Sequence, residues 1–185
     1  MNKRLAFVIE LNGDMESSAR EAWRVLDKEL NIHYIANSTP CPHLTLAAEF
    51  TGDINAIAQM AQNLCQRVIP FTIDSAGLGI FIAQSPVLYV RWTLTEELIQ
   101  LQKMISTELT MATQAGIVDG YNANLNWIAK STLAFQDTTY EDLPRMLELV
   151  RHFNFTQHMQ ITEISLYRYG DYLEENISKF AFSSN

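Results

Sequence analysis

An α+β fold built on antiparallel sheet is predicted by three features of the chain. Several strand-like segments follow one another at hairpin distance, too close for the long crossovers of a parallel sheet. Helical segments recur between them more often than an all-β fold tolerates. Two short segments also read almost alike: Cys41-Pro42-His43-Leu44-Thr45-Leu46-Ala47 and Ile128-Ala129-Lys130-Ser131-Thr132-Leu133-Ala134. Aligned on Thr45 and Thr132, each gives a basic residue, any residue, Thr, Leu, Ala, and the copies lie 87 positions apart in 185 residues. That spacing predicts two similar halves, each bringing one basic residue and one hydroxyl to a shared centre suited to gripping a phosphate from two sides.

The elements follow in order. Leu5 to Leu11 is rich in β-branched and aromatic residues, and Asn12-Gly13-Asp14 closes it with a turn. Ala19, Ala22, Trp23, Leu26 and Leu30 recur at helical spacing, predicting a helix from Met15 to Leu30. A loop at Asn37-Ser38-Thr39-Pro40 leads to a strand at Leu44 to Phe50, and Asp53 is placed to cap a helix from Ile54 to Val68. Pro70 ends that helix. Strands are expected at Phe71 to Ala76, Gly79 to Ile82 and Val87 to Trp92, with Gly77-Leu78-Gly79 a bend in the sheet. Thr93-Leu94-Thr95-Glu96 has capping-box form and opens the longest helix, which Gly116 terminates. Residues Ile117 to Asn126 read as a loop, Trp127 to Phe135 as a strand and the region near Tyr140 to Phe153 as a capped helix. Met159 to Tyr169 and Ile177 to Phe182 finish as strands. No linker separates the halves, so residues 1–185 are expected to pack as one bilobal domain.

Composition narrows the function. An apolar fraction of 48% supports a well-buried interior. Thirteen Lys and Arg against 21 acids give a net charge of −8, which disfavours the broad basic face that a long nucleic acid requires. A pocket for one or two phosphates needs only a few basic residues. The apolar start at Leu5 to Ile9 briefly imitates a signal peptide, but Glu10 interrupts it, and no run is long enough to span a bilayer. Two cysteines without a framework fit a reduced, cytoplasmic protein.

His43 and Thr45 are two apart on a strand, so both project from one face, and Lys130 and Thr132 repeat the arrangement. On Val87 to Trp92 alternation sets Tyr89 and Arg91 on one face, where Arg91 could meet phosphate and Tyr89 stack on a base. Tyr167 and Arg168 border the same region, but alternation lets only one of them face inward. His33, His152 and His158 show no metal-ligand spacing, so neither metal nor cofactor is expected.

These segments, in this order, resemble the two-histidine (2H) phosphoesterase superfamily, which includes bacterial 2′-5′ RNA ligase-like proteins and cyclic nucleotide phosphodiesterases. Arg4 to Leu11 is similar to its opening strand and Pro42-His43-Leu44-Thr45-Leu46 to its first His-x-Thr motif. Gly77 to Phe81 and Val87 to Val90 resemble its middle strands, and Ile164 to Arg168 its penultimate strand, with Tyr172 following. The resemblance implies two antiparallel sheets related by a pseudo-twofold axis, helices packed outside and a central cleft floored by the motifs. It also implies metal-independent chemistry at 2′,3′-cyclic or 2′-5′ phosphodiesters, one histidine as base, the other as acid, and the hydroxyls on the phosphoryl oxygens. His43, Thr45 and Thr132 carry over directly. The second histidine does not, because Lys130 stands there, and Phe135 follows where a polar or basic residue is common.

An ordinary lysine is neutral in only about one molecule in 2,500 at pH 7, so it makes a poor base. It can still hold positive charge against a phosphoryl group or give a proton to a leaving alkoxide. The expected roles are therefore His43 as base and Lys130 as acid or electrostatic clamp. The expected partner is a small phosphodiester, a nucleotide or an RNA end, bound by a monomer. The alternatives are a catalytically impaired nucleotide- or phosphate-binding protein on the same fold, and a partner-binding domain without a phosphate site.

Overall fold

The computed structural model describes residues 4–112, 127–169 and 174–183. The chain opens with β1 (Arg4–Glu10), α1 (Gly13–Leu30), α2 (Tyr34–Ser38), β2 (His43–Phe50) and α3 (Ile54–Cys65). It continues with β3 (Phe71–Phe81), β4 (Val87–Trp92), α4 (Glu96–Ala112), β5 (Lys130–Ala134) and α5 (Leu143–Val150). Strands β6 (His158–Ile161), β7 (Glu163–Tyr169) and β8 (Glu174–Ala181) complete the described elements.

Local sequence explains most of these. In α1, Met15, Ala19, Ala22, Trp23 and Leu26 form the buried stripe, and Asn31 ends the helix in the left-handed conformation at φ 58°. Asp53 caps α3 as expected, its carboxylate accepting from the Ala56 N–H at 2.8 Å. At α4 the cap is Thr95, whose Oγ1 accepts from the Leu98 N–H at 3.3 Å, rather than Thr93. The end assigned to Gly116 and the loop from Ile117 to Asn126 lie outside the described residues.

The strands form two antiparallel four-stranded sheets in the orders β2-β1-β7-β8 and β5-β4-β3-β6. The α+β expectation with two equivalent sheets holds. Each motif strand (β2, β5) is an edge, followed inward by β1 or β4. The sheets do not divide the chain in half, however. The first takes its strands from both ends of the sequence, and the second comes from the middle, residues 71–161.

Two strand boundaries differ from expectation for linked reasons. Phe71 to Phe81 is one strand, not two: Gly77, at φ 79°, lets it bend without stopping, and its register on β4 shifts between Ser75 and Leu78. Met159 to Tyr169, by contrast, is two strands. The chain leaves β3 after Ile161, joins β8 from Glu163 and β1 from Ser165, with the Thr162 carbonyl accepting from the Phe182 N–H at 2.8 Å. The last motif strand is shorter than Trp127 to Phe135, and α2 occupies part of the predicted loop.

The larger core lies between the sheets and the helices, and a small second cluster of Ala6, Val8, Cys41 and Tyr167 lies on the opposite face of β1. Leu5, Phe7 and Ile9 of β1, Leu44 and Leu46 of β2, Leu88, Val90 and Trp92 of β4 and Leu133 of β5 all enter the larger core. Helices α1 and α5 pack together over it, as do α3 and α4. Strands β2 and β5 then meet edge to edge, and Trp127 Nε1 donates to the Thr45 carbonyl at 3.1 Å. A carbonyl on a sheet edge has no ladder partner on that side, so the indole closes a gap that the fold leaves open.

Candidate functional site

Because Leu44, Leu46 and Leu133 enter the common core, the alternating residues His43, Thr45, Lys130 and Thr132 must leave the sheets on the opposite side. All four are half-buried. The two motif strands therefore present a basic residue and a hydroxyl each from neighbouring edges.

His43 is held at Nδ1, which lies 3.1 Å from the Cys41 carbonyl oxygen and 3.3 Å from Thr39 Oγ1. A carbonyl oxygen only accepts, so Nδ1 carries the proton and Nε2 of the neutral ring carries the lone pair. Thr39 is buried and its hydroxyl donates to the same carbonyl at 3.0 Å.

Lys130 donates to Thr132 Oγ1 at 3.1 Å, and its Nζ lies 5.8 Å above the centre of the Phe81 ring. With its oxygen accepting from the ammonium, Thr132 keeps its hydroxyl proton to donate elsewhere.

Pairing sets Tyr89 opposite Thr132 and Arg91 opposite Lys130, so these four share a face. Arg91 is exposed. Tyr89 is only 8% exposed, because its ring lies flat across Gly79 and stacks on Phe81 at 4.5 Å. A Cβ at Gly79 would come within 2.4 Å of the Tyr89 ring, so glycine is what lets the ring lie down. Phe81, half-buried, is the ring left facing Lys130.

Tyr167 and Arg168 separate as alternation requires. Tyr167 pairs with Ala6 and turns to the His43 side, its ring 6.3 Å from the imidazole and inclined 22° to it. Arg168 pairs with Leu5, takes the other face and meets Glu175 at 3.3 Å.

The residue that sequence reasoning missed is Glu10. It pairs with His43 across the β1–β2 ladder. Its Oε1 accepts from Ser165 Oγ at 2.7 Å, Asn176 Nδ2 at 2.7 Å and the Tyr167 hydroxyl at 3.0 Å, while Oε2 accepts from Lys179 at 2.7 Å. Burial alone would raise its pKa, but the bonds from Lys179, Ser165 and Tyr167 outweigh it and hold the carboxyl below its usual range. The same contact raises the Lys179 pKa. Tyr167 is raised, first by burial and then by Cys41, so it stays a neutral phenol. A signal was present in the sequence, since Glu10 is the carboxylate that ends an apolar strand. Among the described residues no group of His, Cys, Asp and Glu is arranged to hold a metal ion. No described helix is long and apolar enough to cross a membrane.

Solved structures share this fold across nearly their whole length. TT0787 of Thermus thermophilus matches with a TM-score of 0.71 at 15% identity, covering 97% of both chains. LigT of E. coli, crystallised with 3′-AMP, matches with 0.64 at 18% identity and full coverage of both. Usb1 of Kluyveromyces marxianus matches with 0.52 at 12% identity over 97% of this chain and 98% of that one. No curated protein matches the sequence. The profile of the 2′-5′ RNA ligase superfamily matches residues 15–173, most of the chain, and the chain belongs to that superfamily.

Proposed function

We propose that the chain is a phosphodiesterase acting on a small phosphodiester or an RNA-terminal 2′,3′-cyclic or 2′-5′ linkage. The observation that carries this reading is the approach of the two edge strands, each with a basic side chain and a hydroxyl directed away from the shared core. Crystal structures of LigT hold 3′-AMP, NADP+, ATP or phosphate, which supports a nucleotide-sized ligand bearing phosphate. Arg91, on the Lys130 face, adds a guanidinium suited to phosphate oxygens.

In this reading Nε2 of His43 takes a proton from water or a ribose hydroxyl, and the freed oxygen attacks phosphorus. Thr45 and Thr132 donate to the non-bridging oxygens. Lys130 stays charged beside the phosphoryl group and gives a proton to the leaving alkoxide, which is a much stronger base than an amine.

The experiment is turnover of 2′,3′-cyclic nucleotides and 2′-5′ dinucleotides by wild type, His43→Ala, Lys130→Ala and Lys130→His. Wild type should turn over with a one-sided pH profile, rising as the base loses its proton and level to well above pH 8. Loss of His43 should lower kcat by about 10² to 10⁴. Loss of Lys130 should lower it by about 10² to 10³. A symmetrical bell in wild type would refute the fixed roles. Lys130 itself favours a second reading, a nucleotide- or phosphate-binding protein without turnover. A silent wild type that gains activity on Lys130→His would establish that reading.

A further inference from the structure

We propose that Glu10 is a positioning residue that fixes the tautomer of the His43 imidazole through Tyr167 and Cys41. The inference rests on the reading of His43 given above, but it concerns the state of the ring and is measurable without turnover.

The direction of each hydrogen bond follows from what the groups can donate. Glu10 is ionised and only accepts, so the single phenolic proton of Tyr167 goes to Oε1 at 3.0 Å. The Tyr167 oxygen is then left to accept, and Cys41 Sγ, 2.9 Å away, supplies its S–H. Cys41 is thereby held by its side chain while its carbonyl receives Nδ1 of His43 at 3.1 Å and the Thr39 hydroxyl at 3.0 Å. Glu10, Tyr167, Cys41 and His43 form one directional chain, and every proton in it points toward the carboxylate or the carbonyl.

Burial makes the chain strict. Tyr167 is 1% exposed and Cys41 is 7% exposed, so water is poorly placed to replace a missing acceptor. Without an acceptor at Glu10, the phenol proton turns to the next available lone pair, which is the Cys41 sulfur. The phenol is then no longer anchored to the carboxylate, so Cys41 is held only by a group that can itself turn, which loosens the carbonyl that selects Nδ1–H. The charged groups facing this cluster are Glu10 from β1, Lys179 from β8 and Glu163 from β7, which also bonds Lys179 at 3.2 Å. Lys179 balances the carboxylate, so the chain works by direction rather than by net charge. This differs from a direct carboxylate–imidazole bond, since the carboxylate reaches the ring through a phenol and a backbone carbonyl.

The test is nitrogen-15 NMR of histidine-labelled protein, with His33, His152 and His158 as internal controls of fold. Wild type above the imidazole titration should show His43 with Nδ1 protonated and Nε2 unprotonated. Tyr167→Phe keeps the ring and removes the relay, so His43 should become a tautomer mixture while the control signals stay in place. Glu10→Ala should do the same, and E10Q, whose amide oxygen still accepts from Tyr167, should keep the wild-type tautomer. Activity should follow, with kcat about tenfold lower in Tyr167→Phe, KM changed by less than about twofold and E10Q close to wild type. An unchanged His43 tautomer in a folded Tyr167→Phe protein would overturn the proposal, as would a wild type with its proton on Nε2. An inactive wild type with the expected spectra would sink the phosphodiesterase reading and leave this one standing.

Discussion

Glu10 shows how much one side chain can gather at the residue scale. Its four donors come from Ser165, Tyr167, Asn176 and Lys179, on strands distant in sequence, and the bonds from Lys179, Ser165 and Tyr167 hold the ion against the cost of burial. A carboxyl whose folded pKa lies below the unfolded 4.5 stabilises the fold above that value, and the stabilisation fades as pH falls through the folded pKa. Lys179, raised above 10.5, acts in the opposite sense: its stabilisation is complete below 10.5 and fades as pH rises through the raised value. Urea midpoints should therefore fall in wild type below about pH 4.5, and the fall should be shallower in E10Q. Equal slopes would refute the assignment. His43 and Thr45 were legible from the sequence because a period of two is a local property of the chain. The partners of Glu10 were not, because nothing local places residue 165 or 179 beside residue 10. Tyr167 and Arg168 were both expected beside the cleft with only one facing in, and register against Ala6 and Leu5 puts Tyr167 on the His43 side.

Among the elements, β2 and β5 carry the most consequence, since each is an edge whose outer groups must be satisfied by something other than a strand. Trp127 supplies one such contact to the Thr45 carbonyl. Trp127→Phe retains most of the apolar area and removes the donor, so it should cost about 1 kcal/mol in chemical denaturation. A loss below about 0.3 kcal/mol would show that the edge carbonyl is served otherwise. The elements were largely readable, the amphipathic α1 and the Asp53 cap of α3 above all. The failures were instructive at Gly77 and Thr162. The bend expected at Gly77-Leu78-Gly79 is present but does not divide the strand in two, and a continuous apolar run concealed a change of sheet at Thr162, because periodicity reports which face is buried and not which neighbour covers it.

For the whole molecule, the sheet holding His43 is discontinuous in sequence, with β1 and β2 joined by β7 and β8 around an inserted middle segment. The other sheet, residues 71–161, is assembled from consecutive strands. Contacts between near neighbours form earlier than those spanning most of the chain. In pulse-labelled hydrogen exchange, amides of β3 and β4 should gain protection before those of β1 and β7. Simultaneous protection of both sheets would refute that order. On the ribosome the same interleaving leaves β1 with an unpaired flank until residues 163–169 emerge, a nascent stretch of bare apolar strand from Leu5 to Ile9. A holdase chaperone that masks this stretch would thus govern yield, and enhanced expression at low temperature would be its signature.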